Sequence, residues 1–201
     1  MGRDDECISN KCSQGTCLAH NSCEVLGGYD GPFDQKTVVM VFIGSGFTDL
    51  NQFEEIADKN FKNMIRVDMF KDPAAKYKAL YVRELAPAFC DYFCEGVERL
   101  LCCEQATAEI LTDKCFPKKP ELQTVVIHND IKYGGAGYIN GNMAVISTNP
   151  FATHLLVHEL GHSLFNFADE YAGSEATDKD SPNCDVAGCP KVRQSKTNVN
   201  L

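Results

Sequence analysis

Hydrophobic and polar residues follow one another along this chain in blocks that predict a mixed α/β fold. Residues 37–43 are a continuous β-branched and apolar run, which is typical of a strand buried on both faces. After it, apolar residues recur every three or four positions, which predicts an amphipathic helix over residues 49–64, capped by Thr48 or Asp49. Other apolar segments predict strands at 81–86, 122–128 and 143–147 and a helix near 103–111.

A last helix is predicted from Asn149 and Pro150 to residue 165. Asparagine is a favoured cap and proline suits the first helical position. Asn166 then tolerates the left-handed backbone with which many helices end. Glycines at 134, 135 and 137 predict a turn. This succession of strands and helices predicts an α/β (α+β) domain.

The cysteine content indicates an oxidising compartment. The chain has 11 cysteines in 201 residues, and no Cys-x-x-Cys pair, so disulfides are favoured over a structural zinc. Because 11 is odd, one thiol is free, pairs with another chain or has its partner outside this sequence. We expect a Cys-rich N-terminal segment over 1–34, a catalytic domain over 35–201, and a secreted protein. The first residues lack the apolar region of a signal peptide, so we expect a mature form or a fragment.

Charge and hydropathy exclude two classes of partner. The formal net charge of −9 disfavours binding to a phosphate backbone, so we expect no nucleic-acid partner. No apolar run approaches the roughly 20 residues of a spanning helix, so we expect no membrane span. Nothing in the sequence indicates the oligomeric state.

The motif that carries chemistry is His-Glu-Leu-Gly-His at residues 158–162. Inside a helix, His158 and His162 project from one face one turn apart, which allows both imidazoles to bind one zinc ion. Glu159 lies about 100° round the helix, beside the metal, where it can take a proton from the water that zinc activates. We therefore predict Zn²⁺ as cofactor and Glu159 as the catalytic residue.

A catalytic zinc needs a third protein ligand and an open position. No histidine follows His162, so the third ligand is a carboxylate, a tyrosine or a cysteine. Asp169 and Glu170 lie close downstream, and a chain reversal at Asn166 would bring one of them back to the metal. We predict Asp169, with Glu170 as the alternative.

The sequence from His158 to Tyr171, His-Glu-Leu-Gly-His-Ser-Leu-Phe-Asn-Phe-Ala-Asp-Glu-Tyr, resembles the active-site signature of the immunoglobulin A peptidase family. Residues 41–48 and 133–137 are similar to that family's first strand and to its glycine-rich edge. The resemblance implies a zincin (metzincin-like) catalytic domain with a mixed sheet and an active-site helix. It also implies a zinc metalloendopeptidase that hydrolyses peptide bonds of a protein or peptide substrate aligned along the glycine-rich edge.

One departure from that pattern keeps an alternative open. Metzincin-like enzymes place a methionine turn beneath the metal, whereas the last methionine here is Met143. Either the catalytic domain continues beyond residue 201 or another segment replaces the turn. The alternative is a catalytically inactive, disulfide-rich secreted binding protein on a metallopeptidase scaffold. Glu159 favours the enzyme, because an inactive scaffold has no need of the base.

Overall fold

A computed structural model describes the chain over residues 12–13, 16–17, 22–32, 37–71, 76–115, 122–139 and 141–169. Its strands are β1 (Cys12–Ser13), β2 (Thr16–Cys17), β3 (Cys23–Asp30), β4 (Thr37–Ser45), β5 (Lys76–Val82), β6 (Cys90–Tyr92), β7 (Leu101–Cys103), β8 (Leu122–His128), β9 (Gly135–Tyr138) and β10 (Met143–Ser147). Its α-helices are α1 (Leu50–Met64), α2 (Gln105–Asp113) and α3 (Leu155–Phe165). Short 3-10 helices cover Cys94–Gly96 and Pro150–Thr153.

Six of the strands form one mixed sheet in the order β3-β5-β4-β8-β10-β9. The four central strands are parallel, and the edge strands β3 and β9 run antiparallel to their neighbours. Helix α3 packs on β9 and β10, and α1 lies on the same face as α3. Helix α2 packs on the opposite face, against β4 and β8. The described residues therefore form a mixed α/β fold, which confirms the predicted class.

Both faces of the sheet are buried, as the unbroken apolar run in β4 predicted. On the α1 side, Phe42, Phe53 and Phe61 are fully buried. On the α2 side, alternate residues of the same strands, such as Val41 and Val126, pack with cysteines and aliphatic side chains. Burial of this apolar surface is the main favourable term that holds the three layers together.

Three disulfides link described cysteines: Cys23–Cys115, Cys90–Cys103 and Cys94–Cys102. The first joins β3 to Cys115, the second residue after α2, across 92 positions of sequence. The other two staple the antiparallel pair β6 and β7. Strand β3 comes from the predicted segment 1–34 yet pairs with β5. The division of the chain at residue 34 stays a prediction.

Several predicted elements are confirmed. Strands β8 and β10 have the predicted bounds. Helix α1 begins after Asp49, whose carboxylate accepts a hydrogen bond from Asn51 N at 2.9 Å. Among the described residues, none of the helices is long and apolar enough to cross a membrane.

Other expectations were wrong in detail. The strand predicted at 81–86 is β5, which spans Lys76–Val82. It begins earlier than predicted because Lys78, although polar, is buried in an ion pair with Asp30 of β3. The helix predicted near 103–111 begins at Gln105. The turn predicted at the glycines is the edge strand β9, and the helix predicted from Asn149 starts as a 3-10 turn before α3.

Candidate metal centre

Helix α3 lies directly against the glycines of β9. A Cβ atom on Gly137 would stand 2.4 Å from the backbone oxygen of Glu159 and 2.6 Å from Cβ of His162. A Cβ atom on Gly135 would stand 2.8 Å from Oε1 of Glu159. Only glycine permits so close an approach, since real Cβ atoms almost never come within 3.0 Å of another heavy atom. The glycine-rich edge therefore sets the position of the helix that carries the His-Glu-Leu-Gly-His motif.

Three ligand-type atoms converge beside this helix. The Nε2 atoms of His158 and His162 are 3.2 Å apart. Oδ1 of Asp169 lies 3.3 Å from the first nitrogen and 3.2 Å from the second. The three atoms form a nearly equilateral triangle, so the structure brings Asp169 to both histidines.

A chain reversal after α3 creates this arrangement. Asn166 adopts the left-handed conformation (φ 55°, ψ 34°), which confirms the predicted helix end. The reversal brings the Phe167 carbonyl to His162, with 2.6 Å between its oxygen and Nδ1. Because a carbonyl only accepts, Nδ1 carries the proton, and in the neutral ring Nε2 keeps its lone pair. The turn thus selects the tautomer that a metal requires.

Glu159 is 6% exposed and points between the helix and β9. One of its carboxylate oxygens lies within 4.8 Å of a ring nitrogen of each histidine. Burial, and to a smaller extent the charge of Asp169, raises the pKa of Glu159 to about 8. A cation at the histidines would oppose both effects and favour the ionised carboxylate.

Burial also lowers the pKa of His158, and the neighbouring His162 acts in the same direction, while Asp169 opposes them. His158 is therefore neutral at pH 7 and has a lone pair to donate. The two Nε2 atoms and Oδ1 of Asp169 therefore face one another as three ligand-type atoms. Such a donor set fits a divalent cation.

The site opens into a cavity of about 710 Å³ with two walls. We call α3 together with Ala168 and Asp169 the helix wall. We call residues 90–103, which comprise β6, β7 and their connection, the hairpin wall. The hairpin wall contributes Val97, Arg99 and Leu100 to the lining, and β9 lies at the base with Gly135, Ala136 and Gly137.

The structure brings the four predicted site residues, His158, Glu159, His162 and Asp169, into one cavity. The alternative third ligand, Glu170, lies outside the described residues. Sequence reasoning missed the hairpin wall and the carbonyl of Phe167. Leu100 pairs with Gly135 across 35 positions of sequence, and no local pattern signals such a contact.

A profile of the family "IgA Peptidase M64" matches residues 82–186, which is more than half of the chain. The chain therefore belongs to the IgA peptidase M64 family. The matched region includes the hairpin wall, β9 and α3. A search among curated proteins gave no match. Membership suggests a peptidase that acts on protein or peptide substrates and uses a metal.

Proposed function

We propose that the protein is a secreted zinc metalloendopeptidase. His158, His162 and Asp169 would hold the zinc ion, and Glu159 would move the proton. The observation that carries the proposal is the triangle of Nε2, Nε2 and Oδ1 atoms, with separations of 3.2, 3.2 and 3.3 Å. Ligands placed tetrahedrally at the zinc–nitrogen bond length stand about 3.3 Å apart. The three atoms have the spacing of three corners of such a tetrahedron.

The chemistry at this site divides between the metal and the chain. Bound zinc would polarise the substrate carbonyl and make a water molecule acidic enough to attack at neutral pH. The carboxylate of Glu159 takes the proton that the attacking water loses as its oxygen bonds to the carbonyl carbon. When the carbon–nitrogen bond breaks, Glu159 gives this proton to the leaving amine. The product carries a new carboxylate and a new amino terminus.

The chain's own geometry prepares these steps. The Phe167 carbonyl fixes the ring of His162, and the close contact of Gly137 with α3 fixes the helix against the sheet edge. Burial of Glu159 removes competing solvent, so its proton transfers are directed into the cavity.

The disulfides support secretion. Three disulfides among the described cysteines fit an oxidising compartment outside the cytosol. Two of them lie in the hairpin wall, so the cavity itself depends on that compartment.

The test measures metal content and peptide cleavage for the purified protein and for Glu159→Gln. We expect about one zinc ion per chain in both proteins, because Glu159 lies beside the donor triangle and not in it. Cleavage of a mixed peptide library should fall about 10²–10⁴-fold in Glu159→Gln, the usual contribution of a general base. Asp169→Asn should weaken zinc binding while Glu159→Gln does not.

Two results would contradict the proposal. Cleavage by Glu159→Gln at the wild-type rate would exclude this mechanism. Zinc bound with no cleavage by either protein would favour the alternative, a catalytically inactive secreted binding protein on a metallopeptidase scaffold.

A further inference from the structure

Strand β9 offers a substrate very little free edge. Ser147 N donates to Gly134 O at 3.0 Å, so Gly134 faces β10 with its backbone groups. In an antiparallel pair these directions alternate, and the backbone groups of Gly135 and Gly137 therefore point away from β10. These two residues are the positions at which an extended chain can pair with β9.

The hairpin wall already occupies one of them. Gly135 N donates to the Arg99 carbonyl at 3.3 Å, and Leu100 forms a parallel bridge with Gly135. Gly137 is left as the position whose N–H and C=O both face the cavity. The hairpin wall therefore blocks the edge of β9 at Gly135. Gly135 lies about 7 Å from Gly137, which is the length of two residues of an extended chain.

Where the hairpin wall meets Gly135, the lining of the cavity includes a basic residue, Arg99. Arg99 is exposed and lines the cavity, whereas its acidic neighbour Glu98 does not. The carboxylates among the described lining residues are Glu159 and Asp169, both at the metal centre. A guanidinium attracts a carboxylate and repels a terminal ammonium group. A substrate that ends beside Arg99 is therefore favoured when it runs antiparallel to β9, because its C-terminal carboxylate then lies next to Arg99.

We infer that Arg99 is a specificity determinant that binds a substrate carboxylate about two residues beyond the residue paired with Gly137. The carboxylate has two chemical sources, the free C-terminus of a short tail or the side chain of Asp or Glu. The inference rests on the proposed function, because it places the scissile bond at His158, Glu159 and His162.

The experiment compares three peptides that differ only in the C-terminal group or at one residue. The first has a C-terminal amide and glutamine on the C-terminal side of the scissile bond, the second has a free C-terminal acid, and the third is an amide with glutamate in place of glutamine. We expect the kcat/KM of one acidic peptide to exceed that of the neutral peptide about tenfold, because a hydrogen bond to a charged group contributes about this much. A higher kcat/KM for the second peptide identifies the C-terminus as the source of the carboxylate. A higher kcat/KM for the third peptide identifies an acidic side chain.

Arg99→Gln should bring that ratio close to one, and the matched control Arg66→Gln, an exposed arginine outside the cavity, should leave it unchanged. The Arg99 hydrogen bond to Gly135 comes from the backbone, so the variant keeps it. Equal kcat/KM for all three peptides, or an unchanged ratio in Arg99→Gln, would overturn the inference.

Binding of the same peptides to zinc-loaded Glu159→Gln, followed by fluorescence anisotropy, gives a readout independent of turnover. We expect the favoured acidic peptide to bind more tightly than the neutral one, and the combined variant with Arg99→Gln to bind both alike. If no peptide is cut by the wild type, the proposed function fails, and the binding comparison still decides the role of Arg99.

Discussion

The two walls of the cavity are held in different ways. The helix wall is fixed by packing, since α3 lies against the glycines of β9 and buries Leu156 and Leu160 completely. The hairpin wall is held by two disulfides over 14 residues and by hydrogen bonds at its ends. Tyr138 of β9 supplies one of them, accepting from Cys103 N at 2.9 Å. The proposed chemistry and the proposed selection of substrate therefore depend on different stabilising forces.

This difference means that the walls respond to different perturbations. Oxidation state should act on the hairpin wall and leave the metal centre intact. A change in the contact between β9 and α3 should act on the metal centre first. The predictions below separate the two walls, beginning with the largest effect.

Removing a disulfide should separate stability from selectivity. Cys23→Ala with Cys115→Ala should cost about 4–5 kcal/mol in the free energy of unfolding, because that disulfide closes the longer loop. Cys90→Ala with Cys103→Ala should cost about 3 kcal/mol. Only the second pair should abolish the preference for acidic peptides, and both should keep zinc. Urea unfolding measures the stability of both variants, metal analysis measures their zinc content, and kcat/KM for the three peptides measures the preference. Equal loss of preference in both variants would contradict the division into two walls.

Adding one methyl group should disturb the helix wall. Gly137→Ala places a Cβ against the backbone of α3, so we expect a loss of about 1–3 kcal/mol and weaker zinc binding. The matched control is Gly161→Ala on the same helix, whose added Cβ would stand in ordinary contact with the Phe167 ring at 3.7 Å. That variant should be neutral or gain up to about 1 kcal/mol from helix propensity. Urea unfolding measures the free energy of unfolding of the two variants. No loss of stability in Gly137→Ala would refute the close contact.

Mild acid should weaken the base of the hairpin wall. Burial lowers the pKa of His128, although Asp130 and Asp91 oppose this. His128 contacts the Ser45 hydroxyl, which accepts from Phe89 N just before β6. Since the unfolded chain binds the proton more readily, stability is present above pH 6.5 and is lost as the pH falls below it.

The slope should be at most about 1.4 kcal/mol per pH unit. It is measured as the difference in unfolding free energy between wild type and His128→Gln from pH 5 to 7, so that the other histidines cancel. Parallel curves for the two proteins would show that His128 does not titrate in this range.

Local patterns were enough to predict much of the fold. The apolar runs of β8 and β10 fixed both strands, and Asp49 and Asn166 marked helix ends through their own backbone preferences. That His158 and His162 lie on one face of a helix could be predicted for the same reason, because the spacing of two histidines on a helix is a local property.

Long-range contacts account for the errors. From the sequence alone, Lys78 is a polar residue expected at the surface. It is buried because Asp30 pairs with it across 48 positions of sequence, and so the start of β5 was missed. A turn was predicted at glycines 135 and 137 because glycine has low strand propensity. Their role is visible only once α3 lies on them. The hairpin wall depends on which cysteines pair, and the sequence leaves that choice open.

The Cys23–Cys115 disulfide has a consequence for proteolysis. It converts 93 residues of the chain, including α1 and the hairpin wall, into a covalent ring, while α3 and Asp169 lie outside that ring. A single cut inside the ring opens it without releasing a fragment. A protease that cuts the chain once within this ring therefore leaves the protein covalently in one piece until the disulfide is reduced.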